Sequence, residues 1–310
     1  MGKKVRGALL AAVWCVCRAV CSCSHTQEPA WYLEIASSSG AILVSEDGAD
    51  RRTVDDPVRL NIGGIVSPDG RFVLYVDAAE GDAEIFRRDL TTQVVVKLTD
   101  NTAPDNNPVW SSDGRQIAFS SRRSGRWQVY VMDHDGSNVT QITEATVGAW
   151  KPQFSATGQL AYLRMITEPG KEQLVDVVIL VTGKERTLLA KRRITDFAWS
   201  PNGRLLAIGE LADGGGRINF VDWATGEVNE IDLKSEVDER LYWHGAFQIH
   251  WRPDSRAIAC RLPFTGSRTV GAAKIFGDEE IFVITLDGRA SWFEFEEGDL
   301  QVVGWKKASR

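Results

Sequence analysis

The chain contains few of the side-chain arrangements that enzymes use for chemistry. No serine lies in a Gly-x-Ser-x-Gly elbow, and no glycine-rich phosphate loop is present. The four histidines, His25, His134, His244 and His250, lack the spacing and the companion ligands of a metal site. The sequence therefore predicts no cofactor and favours binding over catalysis, while a pair of carboxylates brought together by the fold stays open.

Arginine and aromatic side chains are better candidates, because they bury large areas at interfaces for a modest loss of entropy. The candidate partner-binding residues are Arg122, Arg123, Arg164, Glu210, Tyr242, Trp243, His250, Arg261, Phe264 and Phe276. Two insertions, Lys234 to Ala246 and Pro263 to Glu280, contain the four aromatic ones. Loops on a rigid scaffold often bind partners, although insertions are also tolerated as plain surface.

A turn that recurs five times predicts the secondary-structure elements that position these residues. The turns are Asp69-Gly70, Asp113-Gly114, Thr157-Gly158, Asn202-Gly203 and Asp254-Ser255, and their second residues are 44, 44, 45 and 52 positions apart. A unit of this length with four short strands cannot bury its own faces and must stack on its neighbours. The period predicts an all-β propeller of four-stranded antiparallel blades.

Two further positions recur in each repeat. A hydrophobic residue precedes the turn in the order Val66, Trp110, Phe154, Trp199 and Trp251. The next strand contains, in the same order, Leu74, Ala118, Ala161, Ala207 and Ala259. We expect the first set to lie in the core and the alanines to mark close approach between adjacent blades, where larger side chains would overpack.

The repeat resembles that of the TolB-type, WD-like β-propellers. The resemblance is clearest in Pro108-Val109-Trp110-Ser111-Ser112-Asp113-Gly114-Arg115-Gln116-Ile117-Ala118-Phe119, in Ser67-Pro68-Asp69-Gly70-Arg71 and in Trp199-Ser200-Pro201-Asn202-Gly203-Arg204. It implies a six-bladed propeller and an envelope protein that works through protein contacts. It covers the propeller part only, without the α/β domain that precedes the propeller in TolB.

The two ends of the chain complement each other. Strand patterns near Trp31 lack a preceding core strand, whereas Leu300 to Trp305 resembles a core strand with nothing after it. Closing a ring with this C-terminal strand would remove exposed sheet edges. We therefore expect a single six-bladed propeller over residues 23–310, with the first blade shared by about 30–56 and 299–308.

Residues 1–22 have the features of a signal peptide. Lys3, Lys4 and Arg6 precede an apolar stretch from Ala8 to Val16, which is shorter than the roughly 20 residues that a membrane-spanning helix needs. Val20-Cys21-Ser22-Cys23 resembles a bacterial lipoprotein box, which implies lipidation of Cys23. Ordinary cleavage nearby, or a cysteine-rich leader that fits by chance, are the alternatives.

Net charge and the expected location limit the classes of partner that the chain could bind. Removing residues 1–22 removes four basic residues and no acidic ones, so the net charge changes from −6 to −10. Such an acidic chain is a poor match for nucleic acid. We expect a monomeric scaffold in the bacterial periplasm or at the cell surface that binds a protein or peptide and contacts the membrane only through its lipid.

Two other functions stay open at this point. Some propellers act as saccharide lyases or hydrolases through polar residues in the axial channel, which could also hold a metal ion. Others gate prolyl-peptidase active sites, and this chain would be a stand-alone relative of those. Fold alone does not decide among the three.

Overall fold

The computed structural model of the protein describes residues 31–37, 40–45, 51–54, 64–79, 81–167, 174–212, 215–234, 248–262, 267–270, 273–276, 279–288, 290–295 and 301–307. The regular structure in these ranges is β-strand throughout. The strands are β1 (Trp31–Ser37), β2 (Gly40–Ser45), β3 (Arg51–Val54), β4 (Ile65–Val66), β5 (Phe72–Asp77), β6 (Glu84–Asp89), β7 (Val95–Lys97), β8 (Asp105–Trp110), β9 (Gln116–Ser121), β10 (Gln128–Asp133), β11 (Thr140–Gln141), β12 (Gly148–Phe154), β13 (Leu160–Met165), β14 (Val175–Val181), β15 (Lys184–Arg192), β16 (Ile194–Trp199), β17 (Leu205–Ala212), β18 (Gly215–Asp222), β19 (Val228–Lys234), β20 (Gln248–Trp251), β21 (Ala257–Leu262), β22 (Ser267–Val270), β23 (Ala273–Phe276), β24 (Glu279–Thr285), β25 (Ala290–Phe295) and β26 (Gln301–Lys307).

The chain divides into two units, one of residues 58–236 and one of residues 1–57 with 237–310. The central unit, 58–236, contains four antiparallel sheets, each made of four consecutive strands: β4 to β7, β8 to β11, β12 to β15 and β16 to β19. The terminal unit contains two four-stranded sheets, ordered β26-β1-β2-β3 and β20-β21-β24-β25. The predicted all-β architecture of four-stranded antiparallel blades is thus confirmed at the level of the sheets, and closure into a ring stays a prediction.

The recurring turn is stabilised by hydrogen bonds of a serine hydroxyl, one of them to the side chain of the Asp or Asn two residues later. In the second copy, Ser111 Oγ donates to Asp113 Oδ1 over 2.7 Å and accepts from the Gln116 N–H over 2.9 Å. Gly114 has a φ of 70°, a conformation that costs glycine little. The hydrogen bond from Ser111, followed by that from the Arg115 backbone N–H, lowers the pKa of Asp113. The same Ser-to-Asp or Ser-to-Asn bond closes the turns at 67–69 and 200–202.

The small residues predicted at blade contacts lie where neighbouring sheets of the central unit meet. Ala118 is fully buried in a cluster with Ala149, Leu160 and Tyr162 of the next sheet. Ala161 occupies the equivalent position against Phe197 of the sheet after that. The sheets β8–β11 and β12–β15 therefore each bury one face on the next sheet, as the repeat predicts.

The prediction that Val66 belongs to the core is wrong. Its side chain is 48% exposed, whereas Trp110 and Trp199 at the equivalent positions are each 8% exposed. The difference arises because β4 has only two residues, Ile65 and Val66, and both are exposed.

The terminal unit brings together strands from both ends of the sequence. β26 pairs antiparallel with β1, so that Leu33 lies opposite Trp305 and Trp31 opposite Lys307. β26 also contacts β20 and β21 of the second sheet in this unit. The insertion Pro263 to Glu280, treated from sequence as a loop, contains the hairpin β22–β23, since its Thr269-Val270 and Ile275-Phe276 pairs favour strands.

Candidate binding site

The four sheets of the central unit share one end, which we call the connection end. It contains the β5–β6, β9–β10, β13–β14 and β17–β18 loops and the β7–β8, β11–β12 and β15–β16 connections. Hydrogen bonds join neighbouring sheets there, from Asp105 N to Ala83 O over 2.7 Å and from Ala149 N to Trp127 O over 2.7 Å. The recurring turns lie at the opposite end, the turn end. The connection end is therefore a continuous surface across these sheets.

Arg123 is held rigidly at this end. Its Nη2 donates to Asp105 Oδ2 over 2.8 Å, and its Nε donates to Ser121 Oγ over 2.9 Å. The guanidinium also lies 5.0 Å from the ring centroid of Tyr130. Asp105 is fully buried, whereas the arginine side chain keeps 26% of its surface exposed. A buried acid thus fixes a partly exposed cation.

Arg164 has the same kind of support in the next sheet. Its Nη2 donates to Asp176 Oδ2 over 2.8 Å and its Nη1 to Glu185 Oε2 over 2.6 Å. Burial alone would lower the pKa of Arg164, but the hydrogen bond to Asp176 and the charges of both acids outweigh it and raise the pKa. The Tyr162 hydroxyl donates to Glu185 Oε1, and burial followed by this bond raises the pKa of Tyr162. Arg164 therefore keeps its positive charge and Tyr162 its proton at neutral pH.

Glu210 is the acid in the third such pair. It is 7% exposed and accepts from Arg192 Nη1 at 3.2 Å. Asn219 Nδ2 donates to its Oε2 over 3.2 Å. Arg192 is the last residue of β15 and Glu210 lies in β17, so this pair joins two neighbouring sheets. Three partly exposed arginines are thus each held on a buried acid at the connection end.

A β-bulge in β12 positions Lys151 between neighbouring sheets. The β12–β13 register shifts between Trp150 and Gln153, and Lys151 has a φ of 56°. The Lys151 N–H donates to Ser120 Oγ over 2.9 Å, and its Nζ lies 2.5 Å from Asp196 Oδ1. The bulge therefore joins three neighbouring sheets through one residue.

A cavity of about 510 Å³ opens at the connection end beside Arg164. Its lining residues are Glu144, Ala145, Thr146, Val147, Arg164, Met165, Ile166, Asp176 and Glu185. One wall is the β11–β12 connection, and the other is formed by β13, β14 and β15. The volume lies within the usual range of ligand pockets.

The connection wall is held by Gln128. Its Oε1 accepts from Thr143 Oγ1 over 2.6 Å and from the Ala145 N–H over 3.0 Å, while its Nε2 donates to Ala145 O over 2.7 Å. The Thr143 hydroxyl in turn accepts from the Val129 N–H over 2.9 Å. These side chains are buried, so the wall is fixed by the sheet behind it.

The structure brings four of the sequence-predicted residues to the connection end: Arg122, Arg123, Arg164 and Glu210. Arg122 is exposed, with its guanidinium 5.9 Å from the Trp127 ring centroid. His250, Arg261 and Phe276 lie in β20, β21 and β23 of the terminal unit. Burial lowers the pKa of His250. Tyr242, Trp243, Phe264 and Cys23 lie outside the described residues.

Sequence reasoning missed the residues that support the arginines. Asp105, Asp176, Gln128 and Glu144 were not predicted to belong to the site. One signal could have found part of this set, because Leu98-Thr99-Asp100 and Ile142-Thr143-Glu144 recur 44 residues apart. The threonine of each copy bonds a buried side chain at the start of the third strand, Glu84 or Gln128.

Among the residues that the structure describes, no group of three or more His, Cys, Asp or Glu side chains could hold a metal ion. No helix in the described part of the chain has the length and hydropathy of a membrane span.

Repeated four-stranded antiparallel sheets, with candidate binding residues at the end where the sheets are connected, define a class of β-repeat protein. A family model of the TolB beta propeller domain matches residues 21–243. The chain belongs to that family, as its repeat predicts.

Curated relatives share segments of the chain. Protein Atu1656 of Agrobacterium fabrum is 35% identical over 92 residues, 30% of this chain and 31% of its own length. The TolB homolog of Chlorobium chlorochromatii is 32% identical over 125 residues, 40% of this chain and 28% of its own length. The chain thus spans under a third of the length of either relative.

Solved structures show the fold over most of the chain. TolB from Acinetobacter baumannii has a TM-score of 0.57 at 17% identity, covering 89% of this chain and 66% of that one. An oligogalacturonate lyase in complex with manganese has a TM-score of 0.54 at 15% identity, covering 74% of this chain and 63% of that one. At these identities the likeness concerns fold alone.

Proposed function

We propose that this protein is an exported, lipid-anchored, six-bladed propeller that binds a protein or peptide partner through its connection end. Six four-stranded sheets among the described residues and the pairing of β26 with β1 support the blade count and the closure. The leader and Cys23 support export and tethering. Membership of the TolB beta propeller domain family supports an envelope role.

One observation carries the binding proposal. Two successive sheets of the central unit present three arginines already fixed on buried acids, namely Arg123 on Asp105, Arg164 on Asp176 and Arg192 on Glu210. Arginine is enriched at interface hot spots, and a side chain ordered in advance loses little entropy on binding. The connection end is therefore prepared for a macromolecular partner.

Affinity capture from envelope extracts, followed by calorimetry with the purified partner, tests this function. Replacing a fixed arginine would leave its acid buried and unpaired, so the test uses Arg122→Ala, whose side chain is exposed. We expect the Kd to rise about fivefold or more, the effect of a hot-spot residue. Arg115→Ala, an exposed arginine at the turn end, is the matched control.

A second variant tests the insertions. Replacing Trp243, Phe264 and Phe276 with alanine should weaken binding by about 2 kcal/mol or more in total, because aromatic anchors carry much of an interface's energy. If Arg122→Ala and this triple variant both bind normally while Arg115→Ala or His134→Ala does not, the connection end is not the binding surface.

A further inference from the structure

The cavity beside Arg164 has an acidic character that the arginine does not cancel. Its lining contains three carboxylates, Glu144, Asp176 and Glu185, and one guanidinium. The formal charge of the lining is therefore −2. Anionic ligands are disfavoured in such a pocket, and cationic ones are attracted.

The Nη1 and Nη2 donors of Arg164 already form hydrogen bonds within the protein. Its Nη1 donates to Glu185, and its Nη2 donates to Asp176 and to Thr187 Oγ1. Asp176 Oδ1 accepts from the Lys191 N–H over 3.0 Å. Glu144, by contrast, is exposed and forms no hydrogen bond or ion pair with the residues that the structure describes. Glu185 keeps 45% of its side chain exposed. Glu144 therefore remains accessible to a cation, and Glu185, whose two oxygens accept from Tyr162 and Arg164, keeps part of its side chain exposed in the same cavity.

Apart from Thr146, the remaining lining is apolar and suits an aliphatic stem. Ala145 and Val147 lie on the connection wall, and Met165 and Ile166 lie at the end of β13. Lysine and arginine bury such stems on apolar surfaces while their charged groups meet acidic or aqueous surroundings. The cavity combines both requirements in one place.

We propose that this cavity binds an arginine or lysine side chain of the peptide partner, with the cationic group between Glu144 and Glu185 and the stem on Val147, Met165 and Ile166. This rests on the proposed binding function and deepens it by naming the chemistry of the partner. Charge complementarity of this kind determines which partners bind and in which register.

Methionine provides a reporter that is specific to the cavity. The chain has three methionines, Met1, Met132 and Met165. Met165 lines the cavity, whereas Met132 is 1% exposed in the core of the central unit. The full chain, labelled with ¹³C-methyl methionine, is titrated with the blocked peptide acetyl-Gly-Gly-Arg-Gly-Gly-amide at low salt. Met165→Leu assigns the resonance, and Met132 is the internal control.

We expect the Met165 methyl resonance to shift in a saturable manner while that of Met132 stays fixed. Added salt should weaken the binding, because exposed charges are screened. The same peptide with citrulline in place of arginine should leave Met165 unchanged. Equal shifts with the citrulline peptide, no shift with either, or a shift only with an oligogalacturonate would each overturn the proposal.

Matched charge-reversal variants locate the site. Glu144→Lys should raise the Kd of the arginine peptide at least about fivefold, since it replaces an attraction by a repulsion. Glu227→Lys makes the same change in net charge at an exposed turn-end position and should leave the Kd unchanged. Equal effects of the two variants would show a non-specific response to net charge.

This titration is independent of the capture experiment. If the peptide fails to bind the cavity while Arg122→Ala weakens the captured partner, the present inference is wrong and the proposed function stands. If the peptide binds the cavity but no connection-end variant affects the partner, the proposed function is wrong.

Discussion

Two buried threonines, Thr99 and Thr143, help to fix the connection end because each hydroxyl has more than one partner. The Thr99 hydroxyl donates to Glu84 Oε2 over 2.5 Å and accepts from the Ile85 N–H over 2.9 Å. Thr143 repeats this arrangement with Gln128 and the Val129 N–H. Losing the Thr143 hydroxyl leaves the buried Val129 N–H without its side-chain partner and Gln128 Oε1 with the Ala145 N–H alone, which costs more than the net value of one bond.

Thr143→Val should therefore destabilise the protein although it preserves the shape of the side chain. We expect the free energy of unfolding to fall by about 2 kcal/mol, because Thr143 is 1% exposed and water cannot replace the lost partner. Urea unfolding followed by tryptophan fluorescence measures the change. Thr140→Val, exposed in β11, should remain within about 0.5 kcal/mol of the parent. An equally small effect at Thr143 would contradict this account of the wall.

The positions of the arginines could be predicted from the sequence, but the acids that pair with them could not. Arg122 and Arg123 follow a recognisable strand and precede Gly125, so their place in a loop is readable from local pattern. The pairing of Arg164 with Asp176 depends on the register between β13 and β14, in which the two residues lie directly opposite each other. Register across a loop of uncertain length is not fixed by either strand alone, so the acid could not be chosen in advance.

At the scale of secondary-structure elements, most of the correct predictions of the strands and sheets came from the period of the repeat. The repeat located the sheets because each turn fixes where one strand ends and the next begins. It failed at β4, where two residues do not make a buried strand, and in the hairpin β22–β23, which lies outside the repeat. Insertions have no counterpart in neighbouring copies, so periodicity contains no information about their internal structure.

β26 is the element whose removal tests closure. Deleting residues 299–310 should expose the edge of β1 and the strands β20 and β21 that β26 contacts. We expect aggregation in size-exclusion chromatography and loss of the cooperative thermal transition. Deleting only residues 308–310, which follow β26, is the control and should have no effect. A monomeric truncated chain with the parent's melting temperature would refute the closure.

At the scale of the whole molecule, the proposed lipid anchor on Cys23 would determine where binding takes place. If Cys23 carries a lipid, the protein should partition with membranes, and Cys23→Ala should release it or leave the precursor uncleaved. Fractionation and mass spectrometry of the N-terminus measure both. The paired variant Cys21→Ala should remain attached, since only Cys23 occupies the modified position of the box. Mature protein that retains Met1, or parent protein found only in the soluble fraction, would contradict the anchor.

The pairing of β1 with β26 also determines when during synthesis the first sheet can be completed. A ribosome completes β1 before any other described strand and β26 after all of them, yet Leu33 lies opposite Trp305. Until the last residues emerge, one edge of β1 has no partner, and unpaired edges promote association with other chains. The first sheet to be synthesised is thus the last to be finished. We therefore expect nascent chains to remain prone to association with one another until β26 has been synthesised.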